Sequence, residues 1–519
     1  MFAARTSDVA GKVSRSDAMR IFRTALGGSL ASLAMLLVVA SAGIASAQTF
    51  KVLHSFCSTT NASGYCADGM SPGAAPVQGT NGDLYGTTSY GGSNNAGTVF
   101  RMTPAGKLTT IYSFCSLASC ADGYLPWGSL LLGKDGNFYG VTSEGGTNNW
   151  GTALKITPAG KLTTLYSFCS LASCADGQYP QAGLIQGVNG NFYGTTNEGA
   201  NGWGTVFELT PAGVLTTLFS FCESGPCNVG LNPMAPLVQT SSGNLYGVAY
   251  TGPVYATNPC GGSFGGTAFE IAPSGTLTAF GGFCNPPGGS VGIYPNSLVL
   301  ATNGNFFGTT VTGGAGGGGS GTGGTIFEMT PAGSFTWLYS FCLQTGCPDG
   351  YDPKQVMQAT DANFYGTTGA GGTNGQDAGT VFELTAAGQL ATLHSFNASL
   401  ATDGSSPSSG VFQATNGTFY GTASGGGKYS HGVVYSVSNG LGPFVSTVPA
   451  SDKVGAKIIV LGTDLTGATS VTFNGTSASF TVVSATEIKA TVPTGATTGT
   501  VLVTTPRGTL SSNVVFQIP

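Results

Sequence analysis

Along most of this chain, short runs of alternating apolar and polar residues are separated by Gly, Pro and Asn. An aromatic-Gly pair marks the period, recurring at Tyr85-Gly86, Tyr139-Gly140, Tyr193-Gly194, Tyr246-Gly247, Phe307-Gly308, Tyr365-Gly366 and Tyr420-Gly421. A Gly-Thr or Gly-Val step leading into an apolar run follows each, as in Gly97-Thr-Val-Phe100 and Gly432-Val-Val-Tyr435. In the first unit the pattern predicts strands over 75–78, 84–89, 98–103 and 107–114. An Asn81-Gly82 hairpin turn, a Gly-rich loop and a Pro104-Ala-Gly106 turn join them. Four short strands in a unit of about 50 residues indicate one propeller blade.

The two ends of the array complement each other. The last unit stops after its third strand, at 433–437, while the chain ahead of the first unit carries Phe50-Lys-Val-Leu-His-Ser-Phe56, a copy of the missing fourth strand. The expected fold is therefore all-β, a seven-bladed β-propeller over 48–440 with the N-terminal strand closing the last blade. A ring of this kind removes exposed sheet edges; an open solenoid of stacked sheets is the alternative. After Gly442 the repeats stop. Runs such as Lys457-Ile-Ile-Val-Leu461 and Gly499-Thr-Val-Leu-Val503 lack a helical period and predict a small Ig-like β-sandwich over 441–519.

The motifs Asn-Gly-x-Phe/Tyr-Tyr-Gly-Thr-Thr, Gly-Thr-Val-Phe-Glu-Leu-Thr-Pro and Leu-Thr-Thr-Leu-Tyr-Ser-Phe resemble the GloVer tandem-repeat family of secreted bacterial proteins, described as "choice-of-anchor" proteins, across residues 50–437. The order Val454-Gly455, Leu461-Gly-Thr463, Val471-Thr-Phe-Asn-Gly475, Thr491-Val-Pro493 and Phe516 is similar to an IPT/TIG domain. The first resemblance implies a secreted repeat protein and brings no established activity. The second implies a spacer or interaction module.

Composition narrows the function classes. Of 519 residues 85 are Gly and 25 Pro, and only 8% are charged, which excludes coiled coils and long solvated helices. The formal net charge is −5, and no basic stripe offers a footprint for phosphate backbones, so nucleic acid is excluded as a partner. Arg20 and Arg23, the apolar run 33–40 and Ala45-Ser46-Ala47 read as a secretory signal over 1–47, cleaved before Gln48; Met19 is the alternative start. No later stretch is long and apolar enough to span a membrane. A secreted or cell-surface location follows, with the periplasm as a variant.

All twelve cysteines lie after the signal, as an oxidising compartment allows. Cys115/Cys120, Cys169/Cys174, Cys222/Cys227 and Cys342/Cys347 share one spacing, and Cys57/Cys66 holds the same repeat position with a longer gap. Cys260 and Cys284 are left to pair with each other. Metal ligation is disfavoured by the spacing, and no cofactor motif is present.

Candidate chemistry is sparse. His54 and His394 stand where other units have Tyr112, Tyr166, Phe219 and Tyr339, and His431 has no predictable partner. Asp-Gly recurs at Asp68, Asp122, Asp176, Asp349 and Asp403, with Asn228 in the fourth copy. An Asx turn, the carboxylate accepting from the amide two residues on, is expected there; a cation-binding ring is the alternative. Trp150 and Trp203 precede the third-strand Gly-Thr where other units have Ala96 and Ala378, Glu144 and Glu198 share their loops, and Trp127 lies in the loop entering the second unit. Indoles beside carboxylates suit sugar rings and hydroxyls; indoles packed over blade seams are the plain alternative. The expected activity is non-enzymatic binding of a glycan or surface protein, with Trp127, Trp150, Trp203, Glu144 and Glu198 as ligand contacts and no catalytic residue. An extracellular carbohydrate-active enzyme, with the two Glu as its pair, and a structural spacer are the competing readings.

Overall fold

The computed structural model describes residues 48–199, 202–222, 229–252, 265–283, 292–315, 323–374 and 377–519. Residues 1–47, with the expected signal, lie outside them, as do Cys227, Asn228, Cys260 and Cys284. The described chain is all-β, its only helices being single 3-10 turns at Ala118–Cys120 and Ala172–Cys174.

Seven blade-like sheets arise from the repeats in the described residues. Sheet 1 orders its strands Val77–Gln78, Leu84–Thr88, Thr98–Met102 and Leu108–Ser113. Sheets 2 to 5 repeat this order around second strands Phe138–Thr142, Phe192–Thr196, Leu245–Ala249 and Phe306–Gly313. Sheets 6 and 7, with second strands Phe364–Ala370 and Phe419–Gly426, gain an extra strand from the preceding segment, Tyr351–Pro353 and Gly404–Pro407. In sheet 7 the outer place is taken by Thr49–Ser55, antiparallel to Val433–Ser438 with Thr49 opposite Ser438. The N-terminal strand thus completes the last repeat.

The aromatic-Gly signature follows from packing on both faces of the second strand. Its period of two sends one residue toward the preceding sheet and the next toward the following one. Tyr85 meets Phe138 at 4.2 Å between ring centres, Tyr139 meets Phe192 at 4.0 Å, and Tyr365 meets Phe419 at 4.2 Å. Tyr420 and Leu84 belong to one core cluster, which joins the last sheet to the first. The glycine sits opposite the third-strand aromatic, Gly86 across from Phe100. A Cβ there would stand 2.5 Å from that ring. Sheet 2 has Leu154 instead of an aromatic, and Gly140 is correspondingly less crowded.

A second device joins each sheet to the next. The Gly that opens each third strand has positive φ, and a Cβ on it would strike the Cδ of a proline entering the following sheet. The pairs are Gly97–Pro126, Gly151–Pro180, Gly204–Pro233, Gly266–Pro295, Gly324–Pro353, Gly379–Pro407 and, from sheet 7 to sheet 1, Gly432–Pro72. The same glycine's carbonyl accepts from the buried Phe that ends the fourth strand, as in Phe114 N to Gly97 O at 3.0 Å and Phe56 N to Gly432 O at 3.0 Å. The residue before each proline is left-handed, and its amide donates to the residue before the glycine: Leu125 to Ala96, Tyr179 to Trp150, Asn232 to Trp203, Ser71 to His431. On the other side of the sheets a first-strand Gln accepts from the preceding sheet's turn, as Gln186 does from Lys134 N and Gln78 from Thr415 N, at 3.0 and 2.9 Å.

Two further four-stranded sheets follow. One orders Ser446–Val448, Lys457–Leu461, Glu487–Thr491 and Phe480–Val482; the other orders Thr476–Ser477, Ser470–Phe473, Val501–Thr505 and Gly508–Ser511. Ile458, Val460 and Ile488 from the first share a core with Val471, Phe473 and Val503 from the second. This C-terminal part rests on the first-to-second-strand turns of the repeats. Thr486 Oγ1 donates to Thr80 O at 2.6 Å, Thr463 bonds Thr415 at 3.1 Å, and Lys134 lies 3.7 Å from Asp452. Ile459 and Leu461 join the core between sheets 1 and 2. First strands of sheets 2 to 6 line a cavity of about 680 Å³, bounded by Ala450, Ser451 and Val514 from the C-terminal part.

Turn ends alternate in an antiparallel sheet, so the loops carrying Glu144, Trp150, Glu198 and Trp203 lie at the opposite end from those occupied turns. The Gly–Pro junction makes a contrast measurable. Gly97→Ala adds a Cβ 2.5 Å from Thr88 O and 2.7 Å from Pro126 Cδ, whereas Gly136→Ala, also left-handed, meets nothing within 4 Å. Denaturant unfolding should show a loss of about 1 kcal/mol for Gly136→Ala and about 3 kcal/mol or more for Gly97→Ala. Equal losses would mean that the junction carries no packing constraint.

Candidate functional site

Trp150 and Trp203 are fixed at the junctions by their carbonyls, which accept from Tyr179 N at 3.1 Å and Asn232 N at 3.0 Å. The Trp150 indole, half-buried, packs edge-on against the Tyr179 ring, 5.0 Å between centres and 82° between planes. It therefore covers the seam between sheets 2 and 3 while leaving part of its surface to solvent. Trp127 and Trp203 are 45% and 38% exposed. Among the described residues no ring contact joins either of them to Trp150; Trp127 lies beside Gly73 of sheet 1.

Isolated bridges pair Tyr124 with Glu144 and Gln178 with Glu198, holding both acids at the sheet ends. Tyr124 OH donates to Glu144, and Gln178 Nε2 donates to Glu198 Oε2 at 2.9 Å. That bond to Glu144, with burial and the acid's charge, pushes the Tyr124 hydroxyl up to about 12. Burial raises the Tyr179 hydroxyl as well, and the charges of Glu198 and Glu144 add to it. Asn197, next to Glu198, donates its amide to Tyr179 O at 3.1 Å, and Trp150, packed edge-on against Tyr179, bridges Gly145 next to Glu144, so the loops of Glu144, Trp150 and Glu198 meet around Tyr179. Sequence reasoning missed Tyr124, Gln178 and Tyr179. Their signal was the Gly-x-x-Pro spacing at Gly123-Tyr-Leu-Pro126 and Gly177-Gln-Tyr-Pro180, which puts them at the same junctions.

The recurrent Asp residues are neither Asx turns of the expected kind nor an open cation ring. Asp122 is fully buried and reaches backwards: its carboxylate accepts from Tyr112 OH at 2.7 Å, Ser116 N and Oγ at 2.9 Å, and Leu117 N at 3.1 Å. Asp176 repeats this with Tyr166, Ser170 and Leu171. Asp68 and Asp403 meet His54 and His394 at 2.9 and 3.1 Å, so the two histidines replace tyrosine as ring and as polar partner together. Gly230 occupies the place of the Gly in Asp-Gly, which makes Val229, rather than Asn228, the counterpart of the acid. That repeat has Phe219 in place of the tyrosine. Where the hydroxyl is missing the acid is missing too, because a buried carboxylate without its donors is costly.

Four of the expected disulfides are present, Cys57–Cys66, Cys115–Cys120, Cys169–Cys174 and Cys342–Cys347. Cys222 is also disulfide-bonded, and no cysteine among the described residues is free. They fit an extracellular or periplasmic location. No helix among the described residues is long and apolar enough to cross a membrane.

The Gloeobacter/Verrucomicrobia repeat family model matches residues 44–256 and 251–480, and the IPT/TIG domain model matches residues 443–518. No curated protein matches the chain. Among solved structures, the extracellular domain of a hybrid two-component system protein from B. thetaiotaomicron aligns at 10% identity and a TM-score of 0.46, over 77% of this chain and 45% of that one. A second such domain from the same organism aligns at 13% identity and 0.45, over 84% and 50%. A gluconolactonase from Xanthomonas campestris aligns at 13% identity and 0.33, over 55% and 78%. The chain spans about half the length of the two extracellular domains.

The buried acids generate a pH signature. Burial pushes the Asp122 carboxyl up, but its hydrogen bonds outweigh burial and leave it below the usual 3.8; the same holds for Asp68. With the folded pKa depressed, the stabilisation is present above the unfolded value and is lost as pH falls through the folded one. Asp122→Ala should cost roughly 2–3 kcal/mol at pH 7 by stranding its donors. The difference from the parent should shrink below about pH 3. Urea unfolding at both pH values measures this, and a cost that did not depend on pH would refute it.

Proposed function

Since the chain belongs to the Gloeobacter/Verrucomicrobia repeat family and carries an IPT/TIG domain, we propose a secreted or cell-surface binding protein built on a closed seven-bladed propeller. In this reading the signal 1–47 is removed, 48–440 form the propeller, and 441–519 form an immunoglobulin-like sandwich over one of its faces. Closure is supported by the junction from sheet 7 to sheet 1, which uses the same Gly–Pro contact and first-strand Gln bond as the internal ones.

The sandwich occupies the turn face, so binding falls to the opposite one. The observation that carries the reading is the half-buried Trp150–Tyr179 pair with Glu144 and Glu198 beside it. Aromatic faces stack on the C–H faces of a sugar ring, and carboxylates accept from its hydroxyls. Trp127 and Trp203 extend this surface on either side. Glu144 and Glu198 are already acceptors of protein hydrogen bonds, which suits a fixed polar rim better than a glycosidase acid and nucleophile.

On a glycan array, Trp150→Ala combined with Trp203→Ala should abolish binding by residues 48–519. Loss of the Trp150–Tyr179 contact should cost only about 1 kcal/mol. Binding that survived while the protein unfolded several degrees earlier would make the indoles seam packing alone. Closure has its own test. Deleting residues 48–56 strips the strand from Val433–Ser438 and should lower the melting temperature and expose an edge prone to self-association. A truncated protein that stayed monomeric and melted like the parent would refute closure by that strand.

A further inference from the structure

The junction between sheets 5 and 6 departs from the others in its chemistry. Before the junction proline the repeats place Ser71, Leu125, Tyr179, Asn232, Tyr294 and Ser406, all uncharged; sheet 6 places Asp352, and Lys354 follows its proline. Asp352 is left-handed at φ 56, and Lys354 Nζ donates to its Oδ2 at 2.5 Å. The pair is partly exposed, with side-chain accessibilities of 29% for Asp352 and 22% for Lys354.

Gly369 makes room for this pair. It lies across from Asp352, between the partners Tyr351–Ala370 and Pro353–Thr368. A Cβ on it would stand 2.7 Å from Asp352 Oδ2 and 2.8 Å from Lys354 Cε. Gly369 lacks a positive φ, so its backbone does not require glycine; a side chain there would instead push aside the ends of Asp352 and Lys354 and break up their present arrangement. The equivalent positions in other sheets, such as Ser89, Asn197, Tyr250 and Ser424, all carry side chains. Tyr250 and Tyr294 stack at 4.9 Å and 17°, and Asn296, two residues on from Tyr294, donates its Nδ2 to the carbonyl of Pro353 at 3.0 Å, which ties the tyrosine segment to the Asp352–Lys354 segment. Asp352 Oδ1 is buried with no hydrogen-bond partner, an expensive state for a carboxylate oxygen.

We propose that Asp352, Lys354, Tyr250 and Tyr294 form a second saccharide subsite that takes two adjacent hydroxyls of a neutral sugar. With Oδ1 enclosed, Oδ2 is the Asp352 oxygen open to a ligand; a carboxylate oxygen accepts more than one hydrogen bond and the ammonium has N–H groups to spare, so together they complement a diol, one hydroxyl donating to Oδ2 and its neighbour accepting from Lys354. An anionic group would have to displace Asp352, and a cation would meet Lys354. The stacked tyrosines offer the apolar surface for the ring. The subsite rests on the glycan-binding reading above and adds the class of sugar and a second contact region on the same face.

The test uses residues 48–519 and an array of neutral gluco-, manno- and xylo-oligosaccharides beside uronic-acid oligosaccharides. The parent should bind a neutral member. Lys354→Met and Gly369→Val should each weaken that binding at least tenfold, and Lys354→Arg, which keeps the donor, should retain most of it. Gly369→Ser, carrying the residue of sheets 1, 2 and 7, serves if the valine variant does not fold. Parent-like affinity in Lys354→Met and the Gly369 variants, with binding lost in Trp150→Ala, would overturn the subsite and leave the glycan reading standing. Preference of the parent for uronic acids would overturn the neutral class. Binding to no member would overturn both readings.

Discussion

The contact between a third-strand glycine and the proline that enters the next sheet is the constraint on which the rest of this molecule depends. Two backbone conformations that ordinary residues avoid meet there: a glycine at positive φ and a left-handed residue ahead of a proline. Neither is favourable alone. They persist because the glycine carbonyl accepts from a buried Phe amide, the left-handed residue donates across the seam, and the proline ring fills the space a Cβ would take. Each junction therefore fixes the spacing of two sheets at one point, and the second-strand aromatics then pack between them at ring separations near 4 Å.

That constraint also decides where chemistry can sit. The left-handed residue before the proline is held rigidly and is half-buried or exposed, so its side chain can change while the seam stays intact. Ser71, Leu125, Tyr179, Asn232, Tyr294, Asp352 and Ser406 are seven solutions to one backbone problem. Two of these positions have gathered partners that the fold does not demand, Trp150 and the two glutamates about Tyr179, and Lys354 with a cleared glycine about Asp352. The opposite face is committed to the C-terminal sheets through Thr80, Thr415 and Lys134.

The buried Asp residues show the same economy. Asp122 and Asp176 look from outside like a ring of carboxylates, yet each is saturated by the hydroxyl and amides of its own disulfide loop. The substitution of His for Tyr at 54 and 394, and the loss of both partners at Phe219 and Val229, follow from one rule: acid and donor are kept or dropped together.

Much of this was legible in the chain. The period, the four strands per unit, the orphan strand at 50–56 and the local cysteine pairs could be read because turns, short-range disulfides and period-two alternation are local properties. Trp150 stood out in the sequence as a departure from the repeat, with Glu144 in the same loop. Their neighbours did not. Tyr179 and Glu144 are thirty-five positions apart in sequence, and the backward reach of Asp122 to Tyr112 contradicts the local turn that Asp-Gly suggests. Gly369 looks in sequence like any strand glycine, and only the fold shows that the Asp352–Lys354 pair lies over it. Sequence by itself determined the unit and how many times it recurs, since each unit is encoded within about fifty consecutive residues. Tertiary structure alone decided which side chains from different units share a junction and which turns the C-terminal sheets contact, since those depend on how separate sheets stack and not on any one stretch of chain.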